Sequence, residues 1–235
     1  MTRVTVSCVM LAMLAGVVNL AVAADEPSVK LKKGDRIVFL GDSITQGGDG
    51  HDKGYVRLIR KTLAEKHPDL ELEVIGAGIS GNKVPDLQRR LEKDVISKKP
   101  TIVVIYIGIN DVWHGENDPA KGTMPDAFEA GLKDVIGKCQ AAGAQVVICT
   151  PSVIGEKTDG SNGLDEKLDQ YSNISRGIAK ELKLPLCDLR KAFADHLKEQ
   201  NKDNKAQGIL TGDRVHLNDT GNKFVADTML AVLDK

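Results

Sequence analysis

Residues 101–107 read TIVVIYI and run directly into Gly108-Ile109-Asn110-Asp111. A stretch so rich in β-branched residues, with no polar alternation, suits a strand covered on both faces in the middle of a parallel sheet. Parallel neighbours cannot be joined by a tight hairpin and need a crossover, usually a helix. The strand therefore predicts amphipathic helical stretches to either side of it, and the sequence supplies them.

Upstream, residues 36–40 (RIVFL) predict the first strand and 55–66 a helix that His67-Pro68 ends. Residues 72–75 predict the second strand and 85–96 the next helix. Downstream, 125–142 read as a long helix stopped near Gly143, and 145–150 as the fourth strand, ended by Pro151. Residues 155–162 are too rich in Gly, Ser, Asp and Asn to be other than loop. A helix over 164–182, a short fifth strand over 184–188, a helix over 189–200, a loop over 201–212 and a closing helix over 220–233 complete the pattern. The class is α/β: a five-stranded parallel sheet in a three-layer α/β/α sandwich, too few units for an eightfold barrel. In open sheets of this kind ligands sit beyond the carboxyl ends of the strands. The loops at Gly41-Asp42-Ser43, at 76–82 and at Gly108-Ile109-Asn110-Asp111 follow the first three strands, so all three fall on that one edge.

The N-terminus reads as a leader. Arg3 gives a basic start, residues 4–22 are almost all apolar or small, and Ala21-Val22-Ala23 matches an A-x-A cleavage site. The alternative is a retained anchor, since the apolar run approaches the ~20 residues that span a bilayer. With 1–23 taken as a signal peptide, 24–235 form one domain, and the protein is expected to be secreted or periplasmic. The chain carries a formal net charge of −1 and no basic cluster. That argues against nucleic acid and against lasting membrane association once the leader is gone. Cys139, Cys149 and Cys187 follow the leader, an odd number that allows at most one internal bridge, and no zinc spacing is present. Cys149 and Cys187 fall within predicted strands, where cysteine behaves as a small buried hydrophobe.

Ser43 directly follows a predicted strand. A serine hydroxyl is a weak nucleophile unless a base takes its proton, and Ser at a strand-to-helix turn also serves as a plain N-cap. The Gly-x-Ser-x-Gly elbow of α/β-hydrolases is absent. Asp213 and His216, three residues apart in a late loop, suit a carboxylate that orients an imidazole, although such pairs also occur in solvated loops. Gly81 offers a backbone N–H and Asn110 a side-chain amide to a developing oxyanion, each worth roughly 3 kcal/mol when preorganised. Taken singly, these read equally as a glycine turn and a helix cap.

These blocks together resemble those of the SGNH hydrolases, the GDSL-type lipases and esterases. Gly41-Asp42-Ser43, Gly78-Ile79-Ser80-Gly81-Asn82, Gly108-Ile109-Asn110-Asp111 and Asp213-Arg214-Val215-His216 occur in the family's order and span most of the chain. The resemblance implies a flavodoxin-like three-layer fold with Ser43 as nucleophile, His216 as base and Asp213 as its orienter. It implies an oxyanion hole from the Ser43 N–H, the Gly81 N–H and the Asn110 amide. Ile44 stands where the eponymous motif has Leu, and Ile109 where a small or polar residue is frequent; neither supplies an acting atom.

Asp42 and Asp111 are expected to cap or tie down the turns carrying Ser43 and Asn110. Asp42, Trp113 and His114 are candidates to line the substrate pocket. His51, between Asp49 and Asp52, reads as a solvated turn rather than a metal cluster. The expectation is an exported serine esterase with neither metal nor organic cofactor, acting on a small-molecule or glycan ester, with a short O-acyl group such as acetyl on carbohydrate foremost. A lysophospholipase or thioesterase of broad acyl range is the enzymatic alternative. A non-catalytic module and a phosphate-binding flavodoxin-like domain lie further off, since no acting residue is missing and no Walker-type Lys-Ser/Thr is present.

Overall fold

The computed structural model describes residues 27–234; the leader reading falls outside them. Five strands form one parallel sheet in the order β2-β1-β3-β4-β5. They are β1 (Arg36–Gly41), β2 (Glu73–Gly78), β3 (Ile102–Tyr106), β4 (Gln145–Cys149) and β5 (Leu186–Cys187). Every residue of β3 is buried, as the TIVVIYI stretch predicts, and β3 lies between β1 and β4. Helices α3 (Val84–Asp94), α5 (Pro125–Ala141) and α6 (Asp165–Leu182) pack in succession, as do α2 (Tyr55–Lys66), α8 (Asp219–Leu233) and α7 (Leu189–Gln200). This is the expected three-layer sandwich.

Local chemistry sets the helix ends. Pro125 opens α5 at a position that needs no N–H. Asp188 caps α7 by accepting from Lys191 N at 3.1 Å, and Asn218 caps α8 by accepting from Gly221 N at 2.8 Å. The buried tyrosines also find partners: Tyr55 donates to Thr45 Oγ1 at 2.8 Å, and the Tyr106 and Ser152 hydroxyls lie 2.6 Å apart.

Two helices carrying site residues were not expected. α1 (Ser43–Gly50) forms from SITQGGDG, and the five-residue α4 (Ile109–Trp113) follows Gly108. α1 has poor intrinsic propensity, and tertiary packing overrides it: a Cβ on Gly48 would stand 2.5 Å from the Tyr55 ring, so only Gly lets these two elements close together. β5 is two residues long, shorter than the 184–188 expectation. Cys139, Cys149 and Cys187 are buried free thiols, with Cys149 facing Cys187 across the β4–β5 pair. Among the described residues, no helix is long and apolar enough to cross a membrane.

Candidate active site

The sheet order places the ends of β2, β1 and β3 side by side, and their following loops carry Gly81, Ser43 and Asn110. Gly41 is paired with Gly78 on one side and Tyr106 on the other. The sequence suggests Gly41 for a tight turn, but its φ is not positive; close packing is the requirement. A Cβ there would lie 2.6 Å from the Tyr106 carbonyl oxygen, and one on Gly78 would lie 2.1 Å from Gln46 N. Both contacts involve backbone, so the two glycines let the first turn of α1 sit directly on the strand ends.

Asp42 caps α1, its Oδ1 accepting from Ile44 N at 2.9 Å, and it is only 2 % exposed. It faces inward, which removes it from the substrate-pocket candidates and confirms it as a tie for the Ser43 turn. Burial pushes its carboxyl up to about 7; the Ile44 N–H and His216 pull the other way, and nearby Asp111 adds to the rise.

The loop bearing Gly81 is pinned from several directions. Ile79 N donates to Gly41 O at 3.2 Å, and Ser80 N to Gln46 Oε1 at 2.8 Å. Gly81 has φ +76, a conformation that favours glycine. Neither Gly81 N nor Ser43 N has an acceptor among the described residues. Asn110 is buried, and its Nδ2 donates to Asn82 O at 3.1 Å. An amide has two N–H donors, so this bond fixes the side chain and leaves one donor free. Asp111 does not cap its turn but ties it to the start of α3, its Oδ1 accepting from Val84 N at 3.0 Å. Its other oxygen and the Thr123 hydroxyl are buried, and neither makes a well-aligned hydrogen bond among the described residues. Burial raises the Asp111 carboxyl to about 6, against the pull of nearby donors.

Ser43 Oγ lies 2.9 Å from His216 Nε2, and His216 Nδ1 lies 2.7 Å from Asp213 Oδ2. The other Asp213 oxygen accepts from His216 N at 2.7 Å and Val215 N at 3.1 Å. Arg214 makes this possible by taking φ +79, a left-handed turn unusual for a side chain with a Cβ. Partial burial raises the Asp213 carboxyl, but the His216 ring and the two N–H groups outweigh it and hold the group below its ordinary value. The carboxylate thus stays ionised against the imidazole and leaves Nε2 facing the hydroxyl.

Two supporting residues carry no local signal in the sequence. The buried Glu156 carboxylate accepts from Ile209 N at 2.8 Å, Leu210 N at 2.7 Å, Thr211 N at 2.6 Å and the Thr211 hydroxyl at 2.9 Å. It holds the segment leading into Asp213, while Gly155 N donates to Arg214 O at 2.8 Å. Arg90 donates to Gly41 O and Ala77 O, both at 2.8 Å, and to Asn82 Oδ1 at 2.7 Å. One guanidinium thereby joins the ends of β1 and β2 to the loop bearing Gly81. Burial lowers its pKa, and Asp94 and Asp86 oppose that.

His114 stands beside Gly81, its Cε1 4.0 Å from where a Cβ on that glycine would be, and half-buried Trp113 adjoins it. Burial and then Lys83 lower the His114 pKa. A cavity of about 190 Å³ beside Ser43 is lined by neither of them; His51, exposed in a turn as expected, is on its wall. Asp49 and Asp52 instead pair with Arg60 at 2.7 Å and Arg57 at 2.9 Å. Among the described residues no cluster of metal-ligating side chains occurs.

Several known proteins are similar to this chain over most of its length. An acetylxylan esterase of Geobacillus stearothermophilus is 32 % identical over 216 residues, covering 86 % of this chain and 95 % of its own. An isoamyl acetate-hydrolyzing esterase 1 homolog of Mus musculus is 24 % identical over 216 residues, 85 % of this chain and 82 % of its own. The crystal structure of the acetyl xylan esterase AlAXEase superposes with a TM-score of 0.80 at 47 % identity, covering 83 % of this chain and 98 % of that one. The profile of the GDSL-like Lipase/Acylhydrolase family matches residues 39–224, and the chain belongs to that family of SGNH-type, ester-hydrolysing enzymes.

Proposed function

We propose that this enzyme removes short acyl groups, acetyl foremost, from carbohydrate through a covalent acyl-enzyme, and that it acts outside the cytoplasm after loss of the leader. The observation that carries the mechanism is the relay Ser43 Oγ–His216–Asp213 set beside three uncommitted N–H donors. Ser43 Oγ attacks the ester carbonyl carbon as its proton passes to His216 Nε2. The carbonyl oxygen, now negative, is held by Ser43 N–H, Gly81 N–H and the free Asn110 N–H. Collapse breaks the carbon–oxygen bond to the alcohol, which leaves with the proton from Nε2. Water then attacks the acyl-serine with the same base, and the carboxylic acid departs. Asp213 remains ionised throughout.

The carbohydrate acetyl ester is supported by the acetylxylan esterases among the relatives. Acetate release from acetylated xylooligosaccharides, measured beside hydrolysis of p-nitrophenyl acetate, butyrate and octanoate, tests both parts. Ser43→Ala is expected to lose at least about a thousandfold in kcat on every substrate. Equal rates for the two proteins would overturn the serine mechanism, and a preference for octanoate with no acetate release would overturn the carbohydrate assignment.

A further inference from the structure

The cavity beside Ser43 lies on one definite side of the reaction. The base that takes the serine proton must hand it to the departing alcohol oxygen, so the alcohol lies on the imidazole side of the scissile carbon. His216 and Leu217 wall this cavity, whereas Gly81, Asn110 and His114 do not. Its volume of about 190 Å³ falls below the ~300–1,000 Å³ of sites that enclose larger ligands. It suits one ring rather than a chain.

The walls are matched to a polyol. Gly47 lies on its wall, and a Cβ there would meet nothing within 4 Å, so a longer side chain at this position has room to enter the recess. His51 closes α1 in extended conformation, with φ −138 and ψ 161, and its ring makes no hydrogen bond among the described residues. An imidazole can donate and accept, which complements a hydroxyl that does both. The carboxylates that flank it in sequence are engaged by Arg60 and Arg57, so the His51 ring is not drawn into an ion pair with them. Ile44 and Leu217 add apolar surface for the C–H face of a ring.

We propose that this cavity is the alcohol subsite, holding the single sugar ring that bears the ester, with His51 hydrogen-bonded to a hydroxyl of that ring and Gly47 setting the space available. The assignment rests on the carbohydrate reading above. The test compares kcat/KM on an acetylated methyl xyloside with that on ethyl acetate, for wild type, Gly47→Leu and His51→Ala, and adds acetate against butyrate esters of one alcohol. Gly47→Leu is expected to lower the xyloside-to-ethyl-acetate ratio at least about tenfold, through KM, because the added side chain fills the recess. His51→Ala, on an exposed residue that leaves the fold alone, is expected to lower it about fivefold. Unchanged ratios in an enzyme that hydrolyses the xyloside would overturn the subsite and leave the carbohydrate reading intact. A changed acetate-to-butyrate preference with an unchanged alcohol ratio would assign the cavity to the acyl group and also overturn it. Wild type active on ethyl acetate and inactive on the xyloside would overturn the carbohydrate reading and the sugar subsite with it.

Discussion

Ser43, Gly81 and Asn110 stand on the rim of the sheet, and Asp213 and His216 stand on a loop without regular structure, yet both halves hold their atoms to hydrogen-bond distance. The rim is fixed by close packing of backbone on backbone: the β1 and β2 ends pair glycine to glycine, and α1 rests on them. The loop is fixed by polar groups, with Glu156 beneath one end and the Asn218 cap at the other. Packing of the first kind spreads its support over many contacts. Support of the second kind concentrates in a few buried hydrogen bonds, each costly to leave half-made. The loop bearing Asp213 and His216 is therefore the more fragile half of the site.

Variants can break that contrast. The largest effect is expected from Asn110→Ala, with kcat falling roughly 10²–10³-fold. Because the rim is held by backbone, its thermal midpoint is expected to stay near wild type; a collapse in stability would show that Asn110 is structural. Glu156→Ala is expected to damage both properties, with about 3 kcal/mol lost in urea unfolding and kcat down roughly a hundredfold, since four donors lose their acceptor. Glu156→Gln keeps the shape and is expected to recover most of the stability. Full activity in Glu156→Ala would refute its part in placing the base. Arg90→Lys, which cannot span three acceptors with one ammonium, is expected to cost several-fold in kcat and about 1 kcal/mol. Little change in either would show that glycine packing alone sets the rim.

A further effect concerns pH. Asp42 has a folded pKa of about 7 against an ordinary 3.8, so between those values the folded protein keeps a proton that the unfolded chain has released. This group's contribution to stability is greatest below about pH 4 and declines as pH rises to 7. Asp42→Asn, which retains an oxygen to cap Ile44, is expected to flatten that decline in urea titrations at pH 5 and pH 8. Parallel slopes in the two proteins would remove Asp42 as the cause.

The same contrast explains what the sequence discloses. Strand β3 was legible because six consecutive apolar residues admit few other readings, and the rim motifs because each follows a strand by a few residues. Helix α1 was hidden because its four last residues include three glycines; the Tyr55 ring that justifies Gly48 belongs to another helix. Glu156 sits in a polar stretch and meets Leu210 across 54 residues of sequence, so no local pattern marks it. Arg90 reaches Gly41 across 49. His51 was read as a solvated turn because its loop is rich in glycine, and it is exposed there; the pairing of its acidic neighbours with arginines is visible only in three dimensions.

The parallel sheet is complete once β5 has been made, but His216 lies in the last loop before α8. During synthesis, therefore, Ser43, Gly81 and Asn110 emerge before the two residues proposed to activate the serine. Domains gain structure from the N-terminus as they emerge, and on the proposed mechanism the order of emergence leaves the hydroxyl inert until the segment bearing Asp213 and His216 arrives. On the proposed mechanism, ester hydrolysis accordingly reports that the chain has been made through His216.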